Sequence, residues 1–212
     1  MSHQHHDGCG HESHDHDHDH DHDQSNLGYQ DNLFIHIDRQ NVVALNAVGN
    51  APNIIKPWHA RLDEAQFLES DADDQLIIRI PFTGSVRLKA MLLKAGPEGQ
   101  TPAKIALFAN QESLDFDDIP DKTPTQEFDI PRNREVGEYS LKTAKFSNVS
   151  HITVFVPASQ GADTSRIYYL GFLGTWTQHK SQPIITVYEA QANIADHEKI
   201  QGMDGTWTAP GH

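Results

Sequence analysis

Apolar and polar residues alternate along much of the chain, and the alternation is strictest in residues 75–81 and 85–95. The segment Pro81-Phe82-Thr83-Gly84 separates these two stretches. A period of two residues is typical of β-strands that bury one face. The sequence therefore predicts two strands joined by a short break. The expected buried faces are formed by Leu76, Ile78 and Ile80 in the first strand and by Val86, Leu88, Ala90 and Leu92 in the second.

Shorter stretches repeat this pattern elsewhere. Further strands are predicted at 33–37, 104–109, 126–130, 146–156, 166–173 and 184–188. In the stretch 166–173, Ile167 and Tyr169 are expected to face away from Tyr168 and Leu170. Residues 63–68 favour a single helical turn, and turn-forming Gly, Pro and Asn residues separate the other segments. Many short strands with few helical segments predict an all-β fold, a β-sandwich.

The composition divides the chain into three parts. Residues 1–26 consist almost entirely of His, Asp, Gly, Gln and Ser. Such a segment cannot bury enough apolar surface to offset the entropy lost on ordering, so we expect a disordered N-terminal tail. Residues 27–200 are predicted to form one domain, a normal size for a chain of 212 residues. Residues 201–212 are polar and Gly-rich and are expected to be loose.

The chain is acidic, with a formal net charge of −14. Seven acidic residues and no Lys or Arg lie in residues 1–23, so the remaining residues carry −7. An acidic body repels phosphate groups, which predicts neither nucleic acid nor a membrane surface as a partner. No apolar stretch approaches the roughly 18 residues of a membrane span. We expect a monomer.

The single cysteine, Cys9, rules out an intramolecular disulfide bond. The N-terminus also lacks the apolar segment of a secretory signal. Both observations favour a cytoplasmic protein, and a mass of 23.7 kDa is small enough for entry into the nucleus as well. Cys9 lies in the tail, without a rigid frame to hold a base beside it. Because motifs for nucleophilic, phosphate-binding or zinc-dependent catalysis are missing from the sequence, we expect no enzyme and no required cofactor.

A His-Asp repeat in the tail is the clearest chemical feature outside the domain. Imidazole and carboxylate groups are ligands for Zn²⁺ and Ni²⁺. The candidate metal ligands are His14, His16, His18, His20 and His22. The alternatives are a solvated tail that binds no metal and a purification tag, although tags usually contain an unbroken run of His.

We predict that a peptide of residues 1–26 binds Ni²⁺ or Zn²⁺ at neutral pH and loses the metal near pH 5. The reason is that a His side chain must be neutral to be a ligand, and its unperturbed pKa is about 6.5. Titration calorimetry of the isolated peptide at both pH values tests this. If neither metal produces heat at neutral pH, the prediction is wrong.

Two acidic segments are candidate binding surfaces. The first contains Glu69, Asp71, Asp73 and Asp74, and the second contains Asp117 and Asp118. The first segment has three possible roles. Its carboxylates can accept hydrogen bonds within a turn, face a protein partner, or bind a cation such as Ca²⁺, although the spacing of an EF-hand is missing.

Several longer segments together resemble a known family. They are KPW at 56–58, FLESDADDQLIIRIPFTG at 67–84, LDFDD at 114–118, KFSNVSHITVFV at 145–156, GADTSRIYYLGFLGTW at 161–176 and YEAQANIADH at 188–197. These segments resemble the PITH domain family, and in particular its small stand-alone members, which lack a thioredoxin domain. The resemblance covers residues 27–200. It implies a jelly-roll-like β-sandwich similar to galactose-binding-like domains.

The resemblance also implies a function. It predicts a non-enzymatic protein-interaction module, with the 26S proteasome as the partner. One alternative is a metal-handling protein that acts through its His/Asp-rich tail. Another is a sandwich that binds a small ligand or a carbohydrate, for which Trp58, Trp176 and Trp207 are candidate aromatic platforms.

Overall fold

The computed structural model of the protein describes residues 31–111 and 113–178. The predicted disordered tail, the predicted strand at 184–188 and the predicted loose segment 201–212 lie outside these residues. The described residues form nine antiparallel strands. They are β1 (Val43–Leu45), β2 (Ala47–Val48), β3 (Leu68–Ser70), β4 (Leu76–Ala95), β5 (Lys104–Ala109), β6 (Gln126–Asp129), β7 (Gly137–Ser140), β8 (Val149–Val156) and β9 (Arg166–Thr177).

Short 3₁₀ helices connect the strands. They are Phe34–His36, Arg39–Asn41, Ala51–Ile54, Trp58–Ala60, Glu98–Gln100 and Ile119–Asp121. The all-β prediction is therefore confirmed. None of the helices within the described ranges has the length and apolar character that crossing a membrane requires.

Strand β4 belongs to both layers of the sandwich. Its first part, up to Pro81, pairs with β1 and β8. Its second part, from Ser85 onwards, pairs with β7 and β9 and keeps one further pair with β8, between Val86 and Val149. The strands form one continuous hydrogen-bonded sheet in the order β2-β3-β9-β4-β8-β5-β6, with β1 and β7 also paired to β4. Because β4 is shared, we describe it as two sheets, β1-β4-β8-β5-β6 and β7-β4-β9-β3-β2. The prediction of two separate strands is thus wrong, because the chain stays extended through residues 82–85. The predicted break nevertheless marks the place where β4 changes sheets.

The main core lies between the two sheets. Leu76, Ile78 and Ile80 face it from the first sheet, as predicted. In the second sheet, register shifts between Leu88 and Ala90 and between Lys94 and Ala95 disturb the alternation. A bulge adds one residue to a strand and so moves the following side chains to the other face.

Because of these register shifts, two of the predicted buried faces are wrong. Val86 and Leu88 point into the main core, whereas Ala90 and Leu92 belong to a small second cluster. The predicted common face of these four residues is therefore wrong. In β9, Ile167 and Leu170 likewise share the main core, whereas Tyr169 belongs to the second cluster.

Two predicted elements are replaced by others. Residues 33–37 form a 3₁₀ turn instead of a strand: Leu33 and Ile37 are buried, whereas Ile35 is 76% exposed. Contacts at each end fix this turn, since the Leu33 N–H donates to the Phe172 carbonyl and Ile37 bridges to Phe82. The helical turn expected at 63–68 is found instead at Trp58–Ala60.

Loops cover parts of the outer faces of both sheets. On the second sheet, Trp58 packs against the cluster formed by Ala90, Leu92, Tyr169 and Leu173. The buried Lys94 holds this loop through an ion pair with Glu64 at 3.1 Å, and its hydrogen bond lowers the pKa of the Glu64 carboxyl. On the first sheet, Leu114 and Ile119 pack against Ala106 and Phe108.

Candidate interaction surface

The acidic turn between β3 and β4 is built around Asn46. This residue has a φ of 56° and its side-chain amide donates to Asp73 Oδ1 and to the Gln75 carbonyl, both at 2.7 Å. Its Oδ1 accepts the Ala72 N–H at 2.9 Å. Asp73 Oδ1 also accepts the Gln75 N–H at 2.9 Å. Asp73 therefore stabilises the turn from within.

Asp74 has a similar internal role. Its Oδ2 accepts the Ser159 N–H at 2.8 Å, and its carbonyl accepts the Ser165 hydroxyl at 2.7 Å. These bonds attach the turn to the loop that precedes β9. Asp71 is exposed, and its carboxylate accepts no hydrogen bond from the residues that the structure describes.

Glu69 is the most heavily bonded carboxylate of the segment. Its Oε1 accepts from Gln100 Nε2 at 2.9 Å and from Thr164 Oγ1 at 2.8 Å. Its Oε2 accepts from Arg166 Nε at 2.9 Å and Nη2 at 2.5 Å. Burial acts to raise the pKa of Glu69, but the hydrogen bonds from Arg166, Thr164 and Gln100 together outweigh it and the pKa is lowered. Glu69 thus joins β3, β9 and the turn after β4.

The second acidic segment also contains internal caps. Asp115 Oδ1 accepts the N–H groups of Asp117 and Asp118 at 3.1 and 3.0 Å, and Asp118 Oδ2 accepts the Asp115 N–H at 3.3 Å. No hydrogen bond or ion pair joins this loop to the acidic turn within the described residues. Of the candidates, Asp71 and Asp117 have carboxylates free of such internal bonds in the described chain.

An exposed aromatic patch lies beside the acidic turn. We define the aromatic patch as the exposed Val48 and Phe67, the half-buried Arg166 and the buried Tyr168 that contacts Phe67. The Arg166 guanidinium lies 4.3 Å from the centre of the Phe67 ring, and Phe67 meets Tyr168 edge-on at 6.2 Å. Val48 pairs with Glu69 across the strands and is 55% exposed, and Phe67 is 37% exposed.

Sequence reasoning missed this patch. Phe67 lies immediately before β3, two residues from Glu69, and that spacing places two residues on the same face where the chain is extended. That spacing was a usable signal, but the partner strand, which supplies Arg166 and Tyr168, is known only from the register of β3 with β9.

The other predicted sites lie outside the described residues or involve side chains that contact other residues of the domain. These residues contain no cluster of three or more His, Cys, Asp or Glu side chains that could hold a metal ion. His14, His16, His18, His20 and His22 lie outside them, as does Trp207. Trp58 is covered by the Arg61 guanidinium at 4.0 Å, and Trp176 stacks on His36 at 4.5 Å.

Comparison with known proteins gives a consistent result. Residues 23–192 match the family described as "PITH domain". A PITH domain-containing protein of Drosophila pseudoobscura pseudoobscura is 38% identical, with 99% of each chain covered. PITH domain-containing protein 1 of Danio rerio is 40% identical over 81% of this chain and 83% of that protein. The human protein of the same name is 36% identical over 84% and 85%.

Solved structures extend the comparison to the fold. The CBM32-1 and CBM32-2 domains of Clostridium perfringens ZmpB have a TM-score of 0.53 at 9% identity, with 73% of this chain and 38% of that chain covered. The same domains in complex with GalNAc have a TM-score of 0.50 at 11% identity, with 72% and 38% covered. At this level of identity the similarity concerns the fold alone, and it confirms the galactose-binding-like sandwich.

Proposed function

The chain belongs to the PITH domain family, and on this basis we propose that it is a non-enzymatic protein-interaction module whose partner is the 26S proteasome. The family supports an interaction module, and the resemblance of the sequence supports the proteasome as the partner. The observation that carries the proposal is the aromatic patch, in which the exposed Val48 and Phe67 adjoin the half-buried guanidinium group of Arg166.

The composition of the patch suits protein recognition. Aromatic residues and Arg dominate the binding energy of many protein interfaces. Arg166 is held by Glu69 and lies against Phe67, so it loses little conformational freedom when a partner binds. The exposed Asp71 and Asp163 lie within two residues of Ser70 and Ser165, which are joined by a main-chain hydrogen bond. They give the patch an acidic rim, which favours a partner with basic residues around its own contact.

We predict that Phe67→Ala weakens capture of purified proteasome particles about tenfold, which corresponds to about 1.4 kcal/mol. The ring is 37% exposed and packs on Arg166 and Tyr168, so the variant should also lose some stability, and capture is therefore compared per folded molecule. Binding is measured by surface-coupled capture of the particles on the full chain, with melting followed for each variant. Leu62→Ala is the matched control, because Leu62 is also an exposed apolar residue, at 54%, outside the patch.

A second pair of variants tests the rim. Asp71→Lys should weaken capture and reduce its dependence on salt, whereas Asp117→Lys, in the other acidic loop, should leave capture unchanged. Normal capture by both Phe67→Ala and Asp71→Lys would refute the aromatic patch as the interface. Loss of capture in the Leu62→Ala control would place the interface on the neighbouring loop instead.

The regular His-Asp repeat of residues 14–23 supports a second proposed function, metal handling by the tail. The calorimetric titration of the tail peptide tests its chemistry. Capture of proteasome particles with and without residues 1–26 separates the two functions, since the aromatic patch acts without the tail. A cytoplasmic and nuclear location and a monomeric state stay predictions from the sequence.

A further inference from the structure

A cleft with arginines along one wall lies at the end of the sandwich where β4 finishes. It has a volume of about 280 Å³. One wall is the turn that follows β4, which contributes Pro97, Glu98 and Thr101, and the other is the segment with Arg132, Asn133 and Arg134. We call it the arginine cleft. A cleft of this size approaches the range of small-ligand sites, which begins at roughly 300 Å³.

Arg132 is fixed by the loop before β9. Its Nε donates to Gln160 Oε1 at 2.8 Å and its Nη2 donates to the Gln160 carbonyl at 2.5 Å. Gln160 is itself anchored, because its Nε2 donates to the carbonyls of Pro102 and Ile130 at 3.0 and 2.5 Å. Within the described chain the Arg132 Nη1 group has no hydrogen-bond partner. The structure thus holds one guanidinium edge in place and leaves another edge available.

Arg134 is held through its main chain, and its side chain is largely exposed. The buried Lys94 Nζ donates to the Arg134 carbonyl. The Arg134 side chain is 72% exposed and meets Glu64 Oε2 at 3.1 Å. Glu64 is already paired with Lys94 at 3.1 Å, so Arg134 shares its counter-ion. Two arginine residues therefore lie on one wall, and the acidic residue in the lining is Glu98 on the facing turn.

We propose that the arginine cleft binds an acidic peptide segment of a protein partner. A carboxylate side chain of the peptide pairs with Arg132 and Arg134, because the guanidinium fork matches carboxylate geometry with two parallel hydrogen bonds. Glu98 on the facing wall accepts hydrogen bonds from N–H groups of the same peptide. This inference rests on the proposed interaction function, but it names a second contact of opposite charge to the acidic rim of the aromatic patch.

Peptide titration of the full chain tests the proposal. The probes are an acetylated Gly-Glu-Glu-Gly peptide, its Gly-Gln-Gln-Gly counterpart and inorganic phosphate, each followed by the amide resonances of the isotopically labelled protein. We expect the Glu peptide to shift resonances of residues 95–101 and 130–137, and the Gln peptide to shift them at least tenfold less at equal concentration. Equal shifts with the Glu and Gln peptides would overturn the proposal, as would phosphate binding at the cleft that the Glu peptide does not reproduce.

Variants assign the effect to the two arginines. Arg132→Gln and Arg134→Gln should each weaken binding of the Glu peptide about fivefold to tenfold. Lys122→Gln, which removes an exposed cation from another loop, should leave binding unchanged. Arg132 is hydrogen-bonded to Gln160, so Arg132→Gln should also lower the stability of the fold. Arg134 is largely exposed, so Arg134→Gln should change the stability little. Wild-type binding by Arg134→Gln, or equal weakening by Lys122→Gln, would overturn the assignment.

The peptide experiment is independent of proteasome capture. If the Glu peptide fails to bind while Phe67→Ala still weakens capture, the cleft proposal is wrong and the proposed function stands. If the peptide binds the cleft and no variant of the aromatic patch affects capture, the cleft is confirmed and the aromatic patch is rejected.

Discussion

Replacing Gly174 with alanine is expected to lower the free energy of unfolding by about 3–5 kcal/mol, near the upper end of single-substitution effects. Gly174 lies in β9 opposite Leu88 of β4. An added Cβ would lie 2.2 Å from the Arg87 carbonyl oxygen and 3.1 Å from the Leu88 Cα. Both are main-chain atoms of the strand that the two sheets share. They cannot retreat without opening the β4–β9 pairing.

Urea denaturation of Gly174→Ala and Gly161→Ala measures the effect against a matched glycine. At Gly161 an added Cβ would meet no atom within 4 Å, but the φ of +117° is unfavourable for alanine. The free energy of unfolding of Gly161→Ala should therefore fall only by the backbone strain, about 1–2 kcal/mol. Equal losses in the two variants would show that the approach of β9 to β4 is not what requires glycine at residue 174.

Replacing Glu69 with glutamine is expected to cost about 2–3 kcal/mol at neutral pH, somewhat less than the loss of one partner from a fully buried ion pair. Glutamine retains one oxygen acceptor but turns an NH₂ group towards donors such as Arg166. Glu69 and Arg166 side chains are 21% and 24% exposed, so water screens their pairing only in part. The variant should thus lose a bond that joins β3 to β9.

The pH dependence identifies the charge as the cause. Because the pKa of Glu69 is lowered in the folded state from 4.5, its contribution is fully present above that value. The contribution is lost as the pH falls through 4.5 and then through the lower folded pKa. The stability difference between the wild type and Glu69→Gln should therefore shrink over this acidic range.

Denaturation at a series of pH values, with Glu127→Gln as control, checks this prediction. Glu127 pairs with Lys104 at 3.2 Å, but both side chains are well exposed, at 53% and 40%. Exposed pairs contribute about 0–1 kcal/mol. A stability gap for Glu69→Gln that stays constant with pH would mean that its carboxylate charge does not stabilise the fold.

The sequence specified the fold class because the core of the first sheet follows strict alternation. The burial of Leu76, Ile78 and Ile80 can be predicted without knowing which strands pair with β4. The buried residues of the second sheet are harder to predict, because the bulges near Ala90 and Ala95 arise only from the pairing of β4 with β9. Strands as short as β1 and β2 carry no pattern of their own, and pairing with longer strands defines them.

The charged residues of the candidate sites can be recognised in the sequence, but their contacts in the fold cannot. The acidic turn is plain in the sequence, yet whether its carboxylates face a partner depends on residues far along the chain. Asp73 is bonded to Asn46, 27 residues away, and Asp74 to Ser159, 85 residues away. Likewise, Arg132 and Arg134 appear in the sequence as two nearby cations. Their arrangement on one wall of a cleft depends on distant residues, since Arg132 is bonded to Gln160 and Arg134 to Lys94 and Glu64.

The sharing of β4 between the two sheets ties their opening together. Separating either sheet breaks hydrogen bonds along part of the same strand, so the layers have no route to unfold independently. The domain should open as one cooperative unit, with the amide protons of both sheets exchanging through a common global event. A ligand held by the second sheet alone would then protect the first sheet as well, because binding to the native state lowers the population of every opened form.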